Sequence, residues 1–172
     1  MNDIRPQSNF PTHLVFQSAE LSRAAAAATN DQSMLDPQHD DDRMLGMLRD
    51  KKVLLVEDEV LVAMDIEYAL MDAGAQVIGP ATSLKSTLDL VSNGAEIDGA
   101  VLDINLNGEN VFPAAAILHQ RKVPFLFHTG HGLSLDLGTM FPGARLCTKP
   151  MKVCRLISEL ADLMSPAPFR TQ

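Results

Sequence analysis

The sequence predicts an α/β domain, a doubly wound sheet of five parallel strands with helices on both faces. Three observations point there. Short Val- and Leu-rich runs carry no polar alternation, as in strands buried on both faces. Helical apolar periodicities fill the intervals between them. Polar residues suited to chemistry recur where the strands end, the edge at which open parallel sheets place their sites.

The elements follow in order. Residues 53–56 of "VLLVEDEV" form the first strand, which runs straight into Glu57, Asp58 and Glu59. Val62, Ile66, Ala69, Leu70 and Ala73 then share one face of a helix that stops near Gly74. "AQVIG" (75–79) is a second strand, "SLKSTLDLVS" (83–92) a second helix and "GAVLD" (99–103) a third strand. After "INLNGEN" a helix carries Val111, Ala114, Ala115 and Leu118 at helical spacing, with Asn110 as its N-cap and Pro113 in its first turn. "PFLFH" is the fourth strand, 132–140 a weak Gly-interrupted segment, and "ARLC" the fifth strand. Val153, Leu156, Ile157 and Leu160 are in register for a last helix.

Residues 1–50 have a different texture, with Pro6, Pro11, Pro37, the acidic run Asp40 to Asp42 and no sustained periodicity. They read as a mostly flexible N-terminal extension, in which "AELSRAAAAA" (19–28) is a short helix at most, docked on a partner or on the domain. Residues 51–164 form the domain and 165–172 a C-terminal tail. The tail is too short for an output domain, so the chain is read as a stand-alone module.

Composition narrows the function. A chain of 172 residues with 46% hydrophobic content supports one packed core. Fourteen Lys and Arg against 22 Asp and Glu leave a formal charge of -8, which argues against nucleic acid as a partner. No apolar run approaches the ~20 residues of a membrane span, and no secretory signal opens the chain, so a cytoplasmic location is expected. Cys147 and Cys154 are spaced for neither redox nor zinc chemistry and read as reduced packing residues.

The crowded acids at 57–59 have two readings. One is a solvated turn capping the next helix. The other takes in the remaining strand ends: Asp103 after "AVL", Thr129 after "FLFH" and Lys149 before Pro150. First and third strands are neighbours in a doubly wound sheet, so Glu57, Asp58 and Asp103 converge there. Such a crevice calls for a hard cation with open positions, which suits Mg²⁺. Lys149 and Thr129 then add a point charge and a hydroxyl for a small oxyanion.

These residues resemble those of the receiver domain of two-component response regulators. The likeness covers about residues 51–163 and lies in "VEDE", "VLDINLNG", "FHTG" and "CTKP". It implies a flavodoxin-like sheet with strand order 2-1-3-4-5. It further implies that Asp103 accepts a phosphoryl group from a sensor histidine kinase or histidine phosphotransfer protein. By the same resemblance Mg²⁺ is held by Asp58, Asp103 and the backbone carbonyl of Asn105, with Glu57 acting through metal-bound water. Lys149 contacts the phosphoryl group, Thr129 closes on it beside Gly130, and the Lys149-Pro150 bond is cis. Catalysis on external substrates is not implied, and the output is contact with a downstream protein or onward phosphoryl transfer, with weak homodimerisation left open.

The details "DINLNGE", "PFLFHTGHG" and "TKP" are most similar to receivers that work with HWE-type histidine kinases and carry a Phe-x-Thr-Gly-Tyr pattern. Two positions depart from what the resemblance implies. His131 stands where that Tyr would be, and Leu146 stands where many receivers carry a switching aromatic. His128 and His131 flank Thr129 and read as surface or packing residues. Two alternatives share the fold class. An aspartate-nucleophile phosphatase of the haloacid dehalogenase type needs an acid at position 105, where this chain has Asn105. A flavodoxin-like cofactor binder needs a neutral phosphate-cradling loop where this chain has Glu57, Asp58 and Glu59. A receiver-like docking module without phosphorylation is a third.

Overall fold

The computed structural model describes residues 45–130 and 137–165. The elements are β1 (Lys52–Val56), α1 (Val60–Asp72), β2 (Gln76–Ala81), α2 (Leu84–Ser92), β3 (Gly99–Leu102), β4 (Asn105–Leu106), β5 (Glu109–Asn110), α3 (Phe112–Gln120), β6 (Phe125–Thr129), α4 (Leu137–Met140), β7 (Arg145–Thr148) and α5 (Val153–Met164). β2, β1, β3, β6 and β7 lie side by side in that order, and every pairing is parallel. That is the predicted order 2-1-3-4-5 once the small β4–β5 hairpin is set aside.

The sheet is covered on both faces, which is why its central strands show no polar alternation. Along β1, Val53 and Leu55 point into a core with Ile66 and Leu70 of α1 and Leu156, Ile157 and Leu160 of α5. Leu54 and Val56 point the other way, into a core shared with Leu118 of α3 and with Phe125 and Phe127 of β6. Ala63, Ile66 and Leu70 are the buried residues of α1, while Val60, Leu61, Met64, Tyr68 and Met71 are exposed. Ser83 caps α2 through a reciprocal capping box with Ser86.

Three features differ from the sequence reading. Asn110 does not cap α3; Val111 occupies the N-cap without a side-chain bond, because Asn110 is engaged in β5 opposite Asn105. β2 runs on to Ala81 through the cis Gly79-Pro80 bond. Gly79 is required there, since its φ is 110° and a Cβ would come within 2.7 Å of the Leu55 carbonyl oxygen. Packing also begins before residue 51. Leu48 is buried, and its N–H donates to the Ala73 carbonyl while the Asp50 N–H donates to that of Gly74. The suggested helix at 19–28 and most of the weak segment at 132–140 lie outside the described residues; the last turn of that segment is α4.

Candidate functional site

Strand register brings the polar residues together. Val56 of β1 pairs with Leu102 of β3, and the Asp103 N–H donates to the Val56 carbonyl at 2.8 Å. Glu57 and Asp103 therefore leave the sheet side by side. Thr129 pairs with Thr148 at the ends of β6 and β7, and the Lys149 N–H donates to the Thr129 carbonyl at 2.8 Å. Lys149 thus enters the crevice from the opposite side at the same level. The bond between Lys149 and Pro150 is cis.

The Lys149 ammonium is the hub. Nζ donates to Asp103 Oδ2 at 2.7 Å, to Glu57 Oε1 at 2.9 Å and to Glu59 Oε1 at 3.2 Å, which uses all three of its protons. Burial alone would lower its pKa, but the bonds to Asp103 and Glu57 outweigh that and hold it above the usual value. Asp103 Oδ1 accepts from the Asn105 N–H at 3.1 Å, so each Asp103 oxygen has a donor.

Negative charge is in excess even so. Glu57, Asp58 and Asp103 place ligand oxygens within 4.8 Å of one another, and Glu57 is 1% exposed. Burial pushes the Glu57 carboxyl up to about 7, with the neighbouring Asp103 charge adding to it; Lys149 pulls the other way and only partly offsets this. One ammonium shared among several acids leaves a deficit of positive charge in an oxygen-only cluster, and that donor set fits Mg²⁺. A cleft of about 630 Å³ opens beside it, lined by Asp58, Asp103, Asn105, Thr129, Gly130 and Lys149 among others.

Two contributors go beyond the sequence reading. The first is the β4–β5 hairpin, whose turn residues Asn107 and Gly108 have φ of 53° and 94°. The Asn107 N–H donates to Asp58 Oδ2 at 2.9 Å, and the Gly108 N–H donates to Asn105 Oδ1 at 2.8 Å. The Asn-Gly pair was the signal that could have revealed it. The second is His128, read from sequence as a surface or packing residue and found buried at 5% exposure with Nδ1 3.9 Å from Glu57 Oε2. Leu146 on β7 is 45% exposed, and His131 lies outside the described residues.

A response regulator receiver protein from Sinorhizobium medicae WSM419 matches at 25% identity and a TM-score of 0.60, covering 68% of this chain and 96% of that one. The non-phosphorylated HemR receiver domain from Leptospira biflexa matches at 25% identity and a TM-score of 0.60, over 69% and 97%. The domain has the receiver fold. SdrG from Sphingomonas melonis Fr1 is also similar, at 32% identity and a TM-score of 0.57, over 67% of this chain and 96% of that one. No family model and no curated protein sequence matches the chain. Among the described residues no helix is long and apolar enough to cross a membrane.

Proposed function

We propose that this receiver is a phosphoacceptor signalling protein of the cytoplasm, in which Asp103 takes a phosphoryl group from a phosphohistidine on a sensor histidine kinase or histidine phosphotransfer protein. The observation that carries the reading is the Lys149 ammonium bonded to Asp103 within a carboxylate cluster that still lacks positive charge. An Asp103 oxygen attacks phosphorus, the phosphorus–nitrogen bond of the donor breaks, and the departing imidazole takes a proton. Mg²⁺ held by Asp58, Asp103 and the Asn105 carbonyl, with Glu57 reaching it through water, would neutralise charge on the acids and the incoming oxyanion. Lys149 contacts the transferred group, and Thr129 closes on it next to Gly130.

The finer assignment is a partner of the HWE type, supported by the run Phe127-His128-Thr129-Gly130, with His131 in place of the family's Tyr. Output is contact with a downstream protein or onward transfer. Leu146 has no ring to swing between surface and core, so the readout does not use an aromatic rotor at this position. Incubation with acetyl phosphate tests the chemistry: the intact mass should gain one phosphoryl group with Mg²⁺ and none with a chelator. Labelling that ignores Mg²⁺ would overturn the metal-assisted reading.

A further inference from the structure

Behind Glu57 lies a side chain whose chemistry the resting site does not use. His128 is buried on β6, and neither ring nitrogen has a hydrogen-bond partner among the described residues. Its Nδ1 faces Glu57 Oε2 at 3.9 Å, beyond hydrogen-bonding distance. Burial lowers its pKa to about 4, so the ring is neutral at physiological pH and carries one N–H to donate. A buried ring with unpartnered nitrogens costs stability that an apolar side chain of similar size would not. Such a residue has its use in another state of the site.

That state follows from the Lys149 bonds. All three ammonium protons are already committed, to Asp103, Glu57 and Glu59. A phosphoryl group on Asp103 must draw at least one of them away. Glu59 is exposed and can turn to water, whereas Glu57 is 1% exposed and would keep only the long bond from the Glu59 N–H to its Oε1 at 3.4 Å. We infer that His128 is a positioning residue for Glu57: when Lys149 turns toward the phosphoryl group, the imidazole closes about 1 Å and donates its Nδ1–H to Glu57 Oε2. The buried carboxylate thereby gains a donor on Oε2 in place of the lost ammonium and keeps its orientation toward the metal position. The inference rests on the phosphoacceptor reading and adds a role for a residue that does not touch the phosphoryl group.

Histidine-labelled nitrogen NMR on the full chain, with Mg²⁺ and beryllofluoride as the phosphoryl mimic, tests it. Backbone amides of Asp103 and Thr129 should shift, and the His128 Nδ1 signal should move to the range of a hydrogen-bonded N–H with slowed proton exchange. Shifted amides with unchanged His128 nitrogens would overturn the role of His128 and leave the phosphoacceptor reading intact. Amides that ignore the mimic would overturn that reading and the inference with it. Variants give a second arm. His128→Leu should raise the melting temperature of the resting domain yet weaken mimic binding severalfold, and His128→Asn, which restores a donor, should recover most of that binding. Equal binding by wild type and His128→Leu would also overturn the role.

Discussion

The two faces of β6 solve different problems. Phe125 and Phe127 point into an aromatic cluster with Phe112 and Phe141, ring centroids 5.3 to 6.1 Å apart and mostly edge to face. All four rings are apolar, with only the exposed His119 edge-on to Phe141 at the rim, and their burial is favourable without condition. On the opposite face Leu126 packs beneath α1 and α5, but His128 beside it has two unpartnered nitrogens, and the adjoining strand ends crowd buried acids around one lysine. That end gives up stability in the resting state, and under the proposed function it regains stability when Mg²⁺ binds. Stability and chemistry are thus separated by a single residue step along one strand.

The largest expected effect comes from breaking the apolar face. Phe127→Ala should cost about 3–5 kcal/mol in urea unfolding, since it empties a fully buried site. The molecules that remain folded should still take up a phosphoryl group, because no ring in the cluster touches the Lys149 crevice. Leu48 makes a related point at the domain's margin. A chain shortened to begin at residue 51 should lose about 2–3 kcal/mol relative to one beginning at residue 45, because Leu48 and its two flanking backbone bonds leave the core.

Altering the charged end should separate the properties in the other direction. Lys149→Met removes the only ammonium bonded to the acid cluster among the described residues, and phosphoryl uptake should fall sharply with a stability loss of about 1–3 kcal/mol. Mg²⁺ should raise the melting temperature of the wild type and much less that of Asp58→Asn. A variant that lost the metal response through Phe127 instead would erase the distinction between the two faces.

The smallest effect is in the pH dependence. Glu57 is raised from 4.5 to about 7, so its contribution is fully present below pH 4.5 and is lost as pH rises through 7. His128 is lowered from 6.5 to about 4, so its contribution is present above pH 6.5 and is lost as pH falls through 4. Between 4.5 and 6.5 the two slopes oppose each other. In His128→Leu only the Glu57 slope remains, so stability relative to wild type should fall steadily as pH rises across that interval in metal-free buffer. Parallel curves for the two proteins would show that His128 is not held neutral by burial.

Sequence made the sheet legible because β1 and β3 are buried on both faces and so carry uninterrupted apolar runs. The helices followed from periodicity, and the gathering of Glu57, Asp58, Asp103, Thr129 and Lys149 followed from strand order. Other features had little local trace. Lys149 and Glu57 are 92 positions apart, and only the folded chain shows that the lysine is shared among three acids. Leu48 ends the short run Leu45-Gly46-Met47-Leu48, where Leu45 and Met47 are exposed, so composition alone does not single it out for burial. The hairpin strands are two residues each, below the length at which alternation can be read, which leaves the Asn107-Gly108 turn as their one local signal. His128 looked like an ordinary strand-end histidine until its burial and distance to Glu57 were known.

The most direct test is to map the phosphoryl group itself. The full chain and its Asp103→Asn variant would be incubated with Mg²⁺ and a phosphohistidine donor, trapped by borohydride reduction, digested and sequenced by mass spectrometry. The expected result is modification of Asp103 alone in the wild type and none in the variant. Undiminished label in Asp103→Asn, or stable label on a histidine of this chain, would contradict the assignment of the crevice.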